Sequence, residues 1–196
     1  MNESAVRQYI REVLMTELEM PILIPAPPPI DHRLMELNQI SDQYINRKTP
    51  AKLQGVLDEN MSILFNAAIT KAGYPDRLVS VEELKDGIKS IITYHKNYFN
   101  ALRPGKLASQ AGLSFTCDYL ESAQTPSYPS GHTAQAFYLA HSLSAEYPTL
   151  ENVFYDLAEM ISQSRIDRGV HFPSDIDGGK MLADKLFFGD EGGHNK

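Results

Sequence analysis

Cysteine is almost missing from this chain. Cys117 stands alone among 196 residues, so no disulfide can form within it, and nothing points to an oxidising compartment. A lone thiol reads as a small buried hydrophobe, and Cys117 is expected to have no role. Basic residues are outnumbered: 18 Lys and Arg against 25 Asp and Glu leave a net charge of −7. That balance argues against a general nucleic-acid binder and makes any basic site a local one. Apolar runs near the roughly 20 residues of a membrane span are lacking. The longest uncharged stretch near the start, residues 20–30, carries five prolines. Glu3, Arg7, Arg11, Glu12, Glu17 and Glu19 interrupt the region where a signal peptide would place its apolar segment. The expected location is therefore the cytoplasm. No alternating strand pattern of useful length occurs, and no internal repeat.

What is present suits one domain with a sizeable core: 42% hydrophobic and 22% charged residues. Residues 4–19 place Val6, Ile10, Val13, Leu14 and Leu18 at helical spacing. The proline-rich piece from Pro21 to Pro29 must be extended, because proline fixes φ and removes the amide donor. Residues 1–30 thus read as a helix plus a strap or linker, 31–190 as the main domain and 191–196 as a frayed tail. Within the main domain, 31–47 carry a stripe of Leu34, Leu37, Ile40 and Tyr44. Thr49-Pro50 is expected to cap a helix reaching about Ala72, before Gly73 and Pro75. A capping box at Ser80–Glu83 opens a longer helix through Leu102. An irregular stretch, 104–128, comes next. Helices over about 130–146 and 150–168 follow, then one from Ser174 to about Phe188, with Asp177 as partner in its capping box. The expectation is an all-α helical bundle with one long loop.

Three separated strings supply chemistry: Lys96-x6-Arg103-Pro104, Pro129-Ser130-Gly131-His132, and Ser164-Arg165-x5-His171-x3-Asp175. Lys96 and Arg103 are two helical turns apart, so on one helix they would share a face about 10 Å apart. Two such cations alone would more often be a solvated basic face. Ser130-Gly131-His132 precedes a strong helix former, and the unpaired amides of a helix start form an anion seat. The same four residues also read as an ordinary capped turn. A histidine followed four residues later by an aspartate can donate Nδ1–H to it, leaving Nε2 as a lone-pair nucleophile. A loop histidine by itself is usually structural. Coincidence of three cations, an anion nest, two imidazoles and a carboxylate shifts the weight toward a phosphate-handling site. Asp167, Asp177, Asp184 and Glu191 fit no metal-ligand spacing, and His32, His95, His141 and His194 lie outside the strings.

Taken together, the strings resemble the signature of the type 2 phosphatidic acid phosphatase (PAP2) superfamily, which also holds bacterial non-specific acid phosphatases and vanadium-dependent haloperoxidases. All eleven signature positions are filled in order, with 24 and 31 residues between the blocks. Ser127 to Thr133 and Asp175-Ile176-Asp177 look most like the soluble acid phosphatases. The resemblance implies a helical bundle in which His171 attacks phosphorus and Asp175 orients it. It implies that His132 protonates the leaving oxygen and then activates water. Lys96, Arg103, Ser130, the Gly131 amide and Arg165 would hold the non-bridging oxygens, and Ser164 would support the site.

No metal or other cofactor is expected, since three side-chain cations stand where many phosphoryl-transfer enzymes use magnesium. Vanadate would act as an inhibitor. If bound at His171 as a prosthetic group, it would instead make a haloperoxidase. A non-catalytic phosphate-binding protein is the third reading. The partner expected is a small phosphorylated substrate, with no nucleic acid and no membrane span. The first thirty residues would suit an arm exchanged in a homo-oligomer. Specificity is assigned to loop 104–128, where Phe115, Tyr119 and Tyr128 either line a pocket or pack the loop down.

Overall fold

The computed structural model describes residues 21–47 and 50–189. The expected helix over 4–19, the Thr49 cap, His194, Glu191 and the 191–196 tail lie outside them. Among the described residues the fold is all-helical, with no strand. The α-helices are α1 (Ile30–Ile45), α2 (Ala51–Glu59), α3 (Met61–Lys71), α4 (Leu78–Gly87), α5 (Lys89–Phe99), α6 (Pro104–Gln110), α7 (Gly131–Glu146), α8 (Glu151–Asp167) and α9 (Pro173–Phe188). Short 3₁₀ turns cover Glu121–Ala123 and Pro148–Leu150.

Helix α7 is the axis of the bundle, packed along α8 and α9. Its buried residues include Ala134, Ala136, Leu139, Ala140 and Leu143, and the alanines let neighbouring backbones come close. The largest core cluster joins these to Leu57, Met61, Phe65, Ile69, Phe154 and Ile161, with Phe65 and Phe154 stacked at 5.9 Å between centroids. Each such large side chain contributes about 1.5–3 kcal/mol by leaving water. A second cluster joins Ile88, Ile91, Ile92, Tyr128 and Leu182. A third joins Leu37 and Ile40 of α1 to Phe172 and Ile176, as the apolar stripe on α1 requires. Residues 21–29 lie across the second cluster: Ile24 is buried in it, Leu23 N–H donates to His95 Nε2 at 3.1 Å, and Tyr128 Oη donates to the Pro25 carbonyl at 2.8 Å.

Four helix boundaries differ from the sequence expectation. The segment 50–72 is two helices, broken at Asn60 (φ −121°, ψ 30°), a residue whose side chain favours breaks over helix interiors. No cap forms at Ser80. The chain is already helical from Leu78, because Asn66 Oδ1 takes the Arg77 amide at 2.7 Å. That helix stops at Gly87, a weak helix former, and α5 ends at Asn100 in the left-handed region (φ 45°). Finally, residues 104–110 form a helix, with Pro104 at its first position, where a missing amide costs nothing. Pro104 therefore opens α6 instead of closing α5, and Arg103 is the residue before α6.

One close approach fixes the geometry of the later site. A Cβ on Gly178 would fall 2.3 Å from the Tyr128 ring, and one on Gly179 2.7 Å from the Ser130 carbonyl. Two adjacent glycines thus let α9 lie directly on the start of α7. Gly179→Ala is expected to destabilise the fold by about 1–3 kcal/mol through overpacking. Gly55→Ala, in α2 with nothing within 4 Å of a Cβ, should instead gain about 0.5–1 kcal/mol. Chemical denaturation of both variants against the native chain measures the contrast.

Candidate active site

The third string is built by a helix end, a tight turn and a helix start. Helix α8 stops as Gly169 turns to φ +68°, with its amide bonded to the Ile166 carbonyl at 2.8 Å and the Val170 amide to Arg165 at 3.2 Å. Two residues later His171 is buried, and Pro173 opens α9. Asp175 is the third residue of α9 and accepts the Phe172 amide at 2.9 Å. The capping carboxylate is therefore Asp175, not Asp177, because the helix is capped at Phe172, two residues ahead of the Ser174 cap that Asp177 would partner.

Asp175 Oδ2 also accepts from His171 Nδ1 at 3.1 Å and from Ser127 Oγ, while Oδ1 accepts from Arg33 Nη2 at 3.0 Å. Burial raises this carboxyl above the usual carboxylate value, with Arg33, the Ser127 hydrogen bond and the Phe172 amide opposing it in part. Four donors, one of them the Arg33 cation, favour the carboxylate. With Nδ1–H committed to Asp175, His171 Nε2 carries the lone pair, 3.2 Å from Arg103 Nη1. Burial, then Arg103, Lys96 and Arg165, hold His171 well below the usual histidine value, so it is neutral near pH 7.

The cations converge on the same region from three elements. Lys96, in the last turn of α5, donates to the carbonyls of Pro126 at 2.6 Å and Ser127 at 3.2 Å. Burial and then Arg103 lower it to about 7. Arg103 ties loop to turn, bonding the Thr125 carbonyl at 2.8 Å and the Val170 carbonyl at 2.9 Å. Arg165 is fully buried in α8. Burial brings Arg103 and Arg165 each down to about 10, which leaves both charged. Ser164 turns inward to the Ile161 carbonyl at 2.8 Å and contacts none of these groups.

Ser130 caps α7. Its Oγ accepts from the Thr133 amide at 3.4 Å and Thr133 Oγ1 at 2.9 Å, which leaves its own proton to donate. The Ser130 amide bonds the Asp175 carbonyl at 2.9 Å, so the second and third strings are joined through the backbone. Gly131 lies over the Lys96 stem, where a Cβ would make ordinary contacts at 3.4–3.5 Å. His132, on the first turn of α7, points Nε2 at Asp58 Oδ1, 2.9 Å away. Burial and then Arg165 lower its pKa, against Asp58, which raises it.

Three residues here escape the sequence strings. Arg33 stacks on the Phe172 ring at 4.2 Å as it grips Asp175. Its neighbour one turn on, Glu36, accepts from the Ser174 amide and hydroxyl at 2.8 Å each, so α1 clamps the start of α9. Asp58, near the end of α2, meets Arg165, His132 and the Ser122 hydroxyl, 3.2 Å from Oδ2. Its only sequence signal is an acid at a helix C-terminus, where the helix dipole opposes it.

Loop 104–128 divides between the expected roles. Tyr128 is buried packing, and Tyr119 is exposed. Cys117 is exposed as well, contrary to expectation, since it lies where the loop crosses Gly169. A cavity of about 360 Å³ lies beside Arg103, lined also by Lys106, Asp118, Tyr119, Gln124 and Val170. Of the remaining histidines, His95 is buried against Ile91 and Leu23, and His141 bridges Tyr155 and Asp184. No metal-binding group of three or more His, Cys, Asp or Glu occurs among the described residues.

The PAP2 superfamily model matches residues 84–183. Among solved structures, the first transmembrane PAP2 type phosphatidylglycerolphosphate phosphatase from Bacillus subtilis matches with a TM-score of 0.53 and 18% identity, covering 96% of this chain and 94% of that one. At that identity the likeness is one of fold. Among the described residues no helix is long and apolar enough to cross a membrane. Comparison with curated proteins gives no match.

Asp58 also carries stability. Burial raises it, but the His132 hydrogen bond, then Arg165 and Arg168, bring it from 3.8 down to about 2. Its folded value lies below its unfolded one, so its contribution is full above about pH 4 and disappears as pH falls toward 2. Asp58→Asn should cost about 2 kcal/mol at pH 6 and little at pH 2, read from urea denaturation across that range.

Proposed function

This chain belongs to the PAP2 superfamily, and we propose that it is a metal-independent phosphatase hydrolysing small phosphomonoesters in the cytoplasm through a phosphohistidine. The observation that carries this reading is the Asp175–His171–Arg103 chain, which leaves His171 Nε2 neutral, lone-pair bearing and beside a guanidinium. An aqueous substrate agrees with the chain's 22% charged residues and net charge of −7.

In the proposed reaction His171 Nε2 attacks phosphorus as the bond to the leaving oxygen breaks, and His132 gives that oxygen its proton. The N–P bond is then broken by water, whose proton returns to His132, releasing inorganic phosphate. Asp175 stabilises the positive charge that develops on the His171 ring. Lys96, Arg103, Arg165, the Ser130 hydroxyl and the Gly131 amide stabilise the three equatorial oxygens as charge spreads onto them. The cavity beside Arg103 is assigned to the leaving group. At about 360 Å³ it suits a headgroup-sized alcohol with polar groups for Lys106, Asp118 and Gln124.

Hydrolysis of a chromogenic aryl phosphate, with chelator present, tests the reading. Activity should persist in chelator, be blocked by vanadate, and vanish in His171→Ala. Equal rates in the native chain and the variant would defeat the proposal, and vanadate-dependent bromide oxidation would favour the haloperoxidase instead.

The pH profile adds a second test. His132 must hold a proton and is lowered below its usual value, while Lys96 must stay charged and titrates at about 7. With an alkyl phosphate, log kcat/KM should therefore fall above pH 7 with a slope approaching two proton losses. Lys96→Arg, charged throughout, should reduce that slope to one.

A further inference from the structure

Asp58 connects the buried floor of the site with its exposed rim. Its Oδ1 is shared between Arg165 Nη1 and His132 Nε2, the groups that the proposed reaction assigns to a phosphoryl oxygen and a leaving oxygen. Arg165 Nη2 and the Asp58 carboxylate both reach Ser122 Oγ, at 3.3 and 3.2 Å, in the exposed 3₁₀ turn. Arg168 Nη1 stands 3.6 Å from Oδ2. Arg165 Nε is buried without a hydrogen-bond partner among the described residues, so Asp58 meets only part of that guanidinium's capacity. The carboxylate sits on a side chain one residue before α2 ends and the chain breaks at Asn60, and the Asp58 carbonyl lies 3.2 Å from His132 Nε2 as well. A rotamer change can therefore withdraw it while the helices stay in place.

We propose that Asp58 is an internal counter-anion seated where substrate oxygens bind, which an incoming phosphoryl group must displace, so that it selects dianionic monoesters over monoanionic diesters. The inference rests on the phosphatase reading of this site. A diester carries one charge and offers Arg165 and His132 no more than the carboxylate already does. A monoester dianion brings two, and with Asp58 withdrawn the equatorial oxygens can fill the unpartnered side of Arg165. His132 Nε2 then loses the carboxylate that competes with the leaving oxygen and keeps only the Asp58 carbonyl, 3.2 Å away. When a ligand needs a minor state, its apparent affinity falls by the fraction in that state. An Asp58-out population of about 10% would weaken a ligand about tenfold, a loss that the second charge of a dianion offsets and the single charge of a diester does not.

The probes are inorganic phosphate and dimethyl phosphate, titrated calorimetrically at pH 7.5 against the native chain and Asp58→Asn. The native chain should bind phosphate well ahead of dimethyl phosphate. The variant should bind phosphate about tenfold tighter or more, and should gain measurable affinity for dimethyl phosphate. Equal or weaker phosphate binding by a folded variant would overturn the counter-anion role while leaving the phosphatase reading intact. No phosphate binding by the native chain would overturn that reading and this inference with it. Should the variant not fold, side-chain carboxyl NMR on the native chain decides: saturating phosphate should shift the Asp58 Cγ resonance, and an unchanged resonance would overturn the proposal.

Discussion

The Asp175 carboxylate gathers four donors from three places in the chain: Arg33 on α1, Ser127 in the loop, and His171 and the Phe172 amide at the turn into α9. A buried carboxylate is tolerable only when nearly every lone pair is used, so these pieces must arrive together. Their arrival also orients the nucleophile candidate, because the same oxygen that caps α9 holds His171 Nδ1. Folding and chemistry therefore depend on one ion. The Ser130 amide bonded to the Asp175 carbonyl extends the arrangement to the start of α7, and the Gly178-Gly179 pair permits the close approach that bond requires.

Around this ion the site is an assembly of cations under strain from their own proximity. Lys96, Arg103 and Arg165 all lose basicity, chiefly through burial, and Lys96 next through its guanidinium neighbour Arg103. Carbonyl oxygens of the loop and turn, and the carboxylates of Asp58 and Asp175, offset the repulsion. On the proposed reading, a doubly charged phosphoryl group would complement these cations better than a singly charged one. Loop residues 125–127 are held by Lys96 and Arg103, so the groups that would bind oxygens also shape the wall of the site.

The loop and the first described residues show how packing sets roles that residue type leaves open. Tyr128 and Tyr119 share a loop, yet one is fixed beneath the extended segment by a bond to Pro25 and the other faces solvent beside the cavity. Cys117, a residue type usually buried, is left exposed where the loop passes Gly169. In α4 and α5 a continuous helical pattern is interrupted at Gly87 and Ile88, since the second cluster needs Ile88, Ile91 and Ile92 turned toward Tyr128 and Leu182.

Local patterns alone determined the all-α class and the spans of α1, α7 and α8. Helical periodicity and fixed residue spacings are properties of neighbouring residues, so they are written in the chain. Arg33, Glu36 and Asp58 could not be found that way. Arg33 lies 142 residues from its partner Asp175, and Asp58 lies 107 from Arg165, and nothing local marks either as more than a charged surface position. Placing Arg103 on α5 failed for the same reason: seven residues is two turns only if the helix continues, and Asn100 turns it away. Only the tertiary structure decided which charges meet, because the cost of burying an ion is met by partners that chain folding, not sequence proximity, brings within reach.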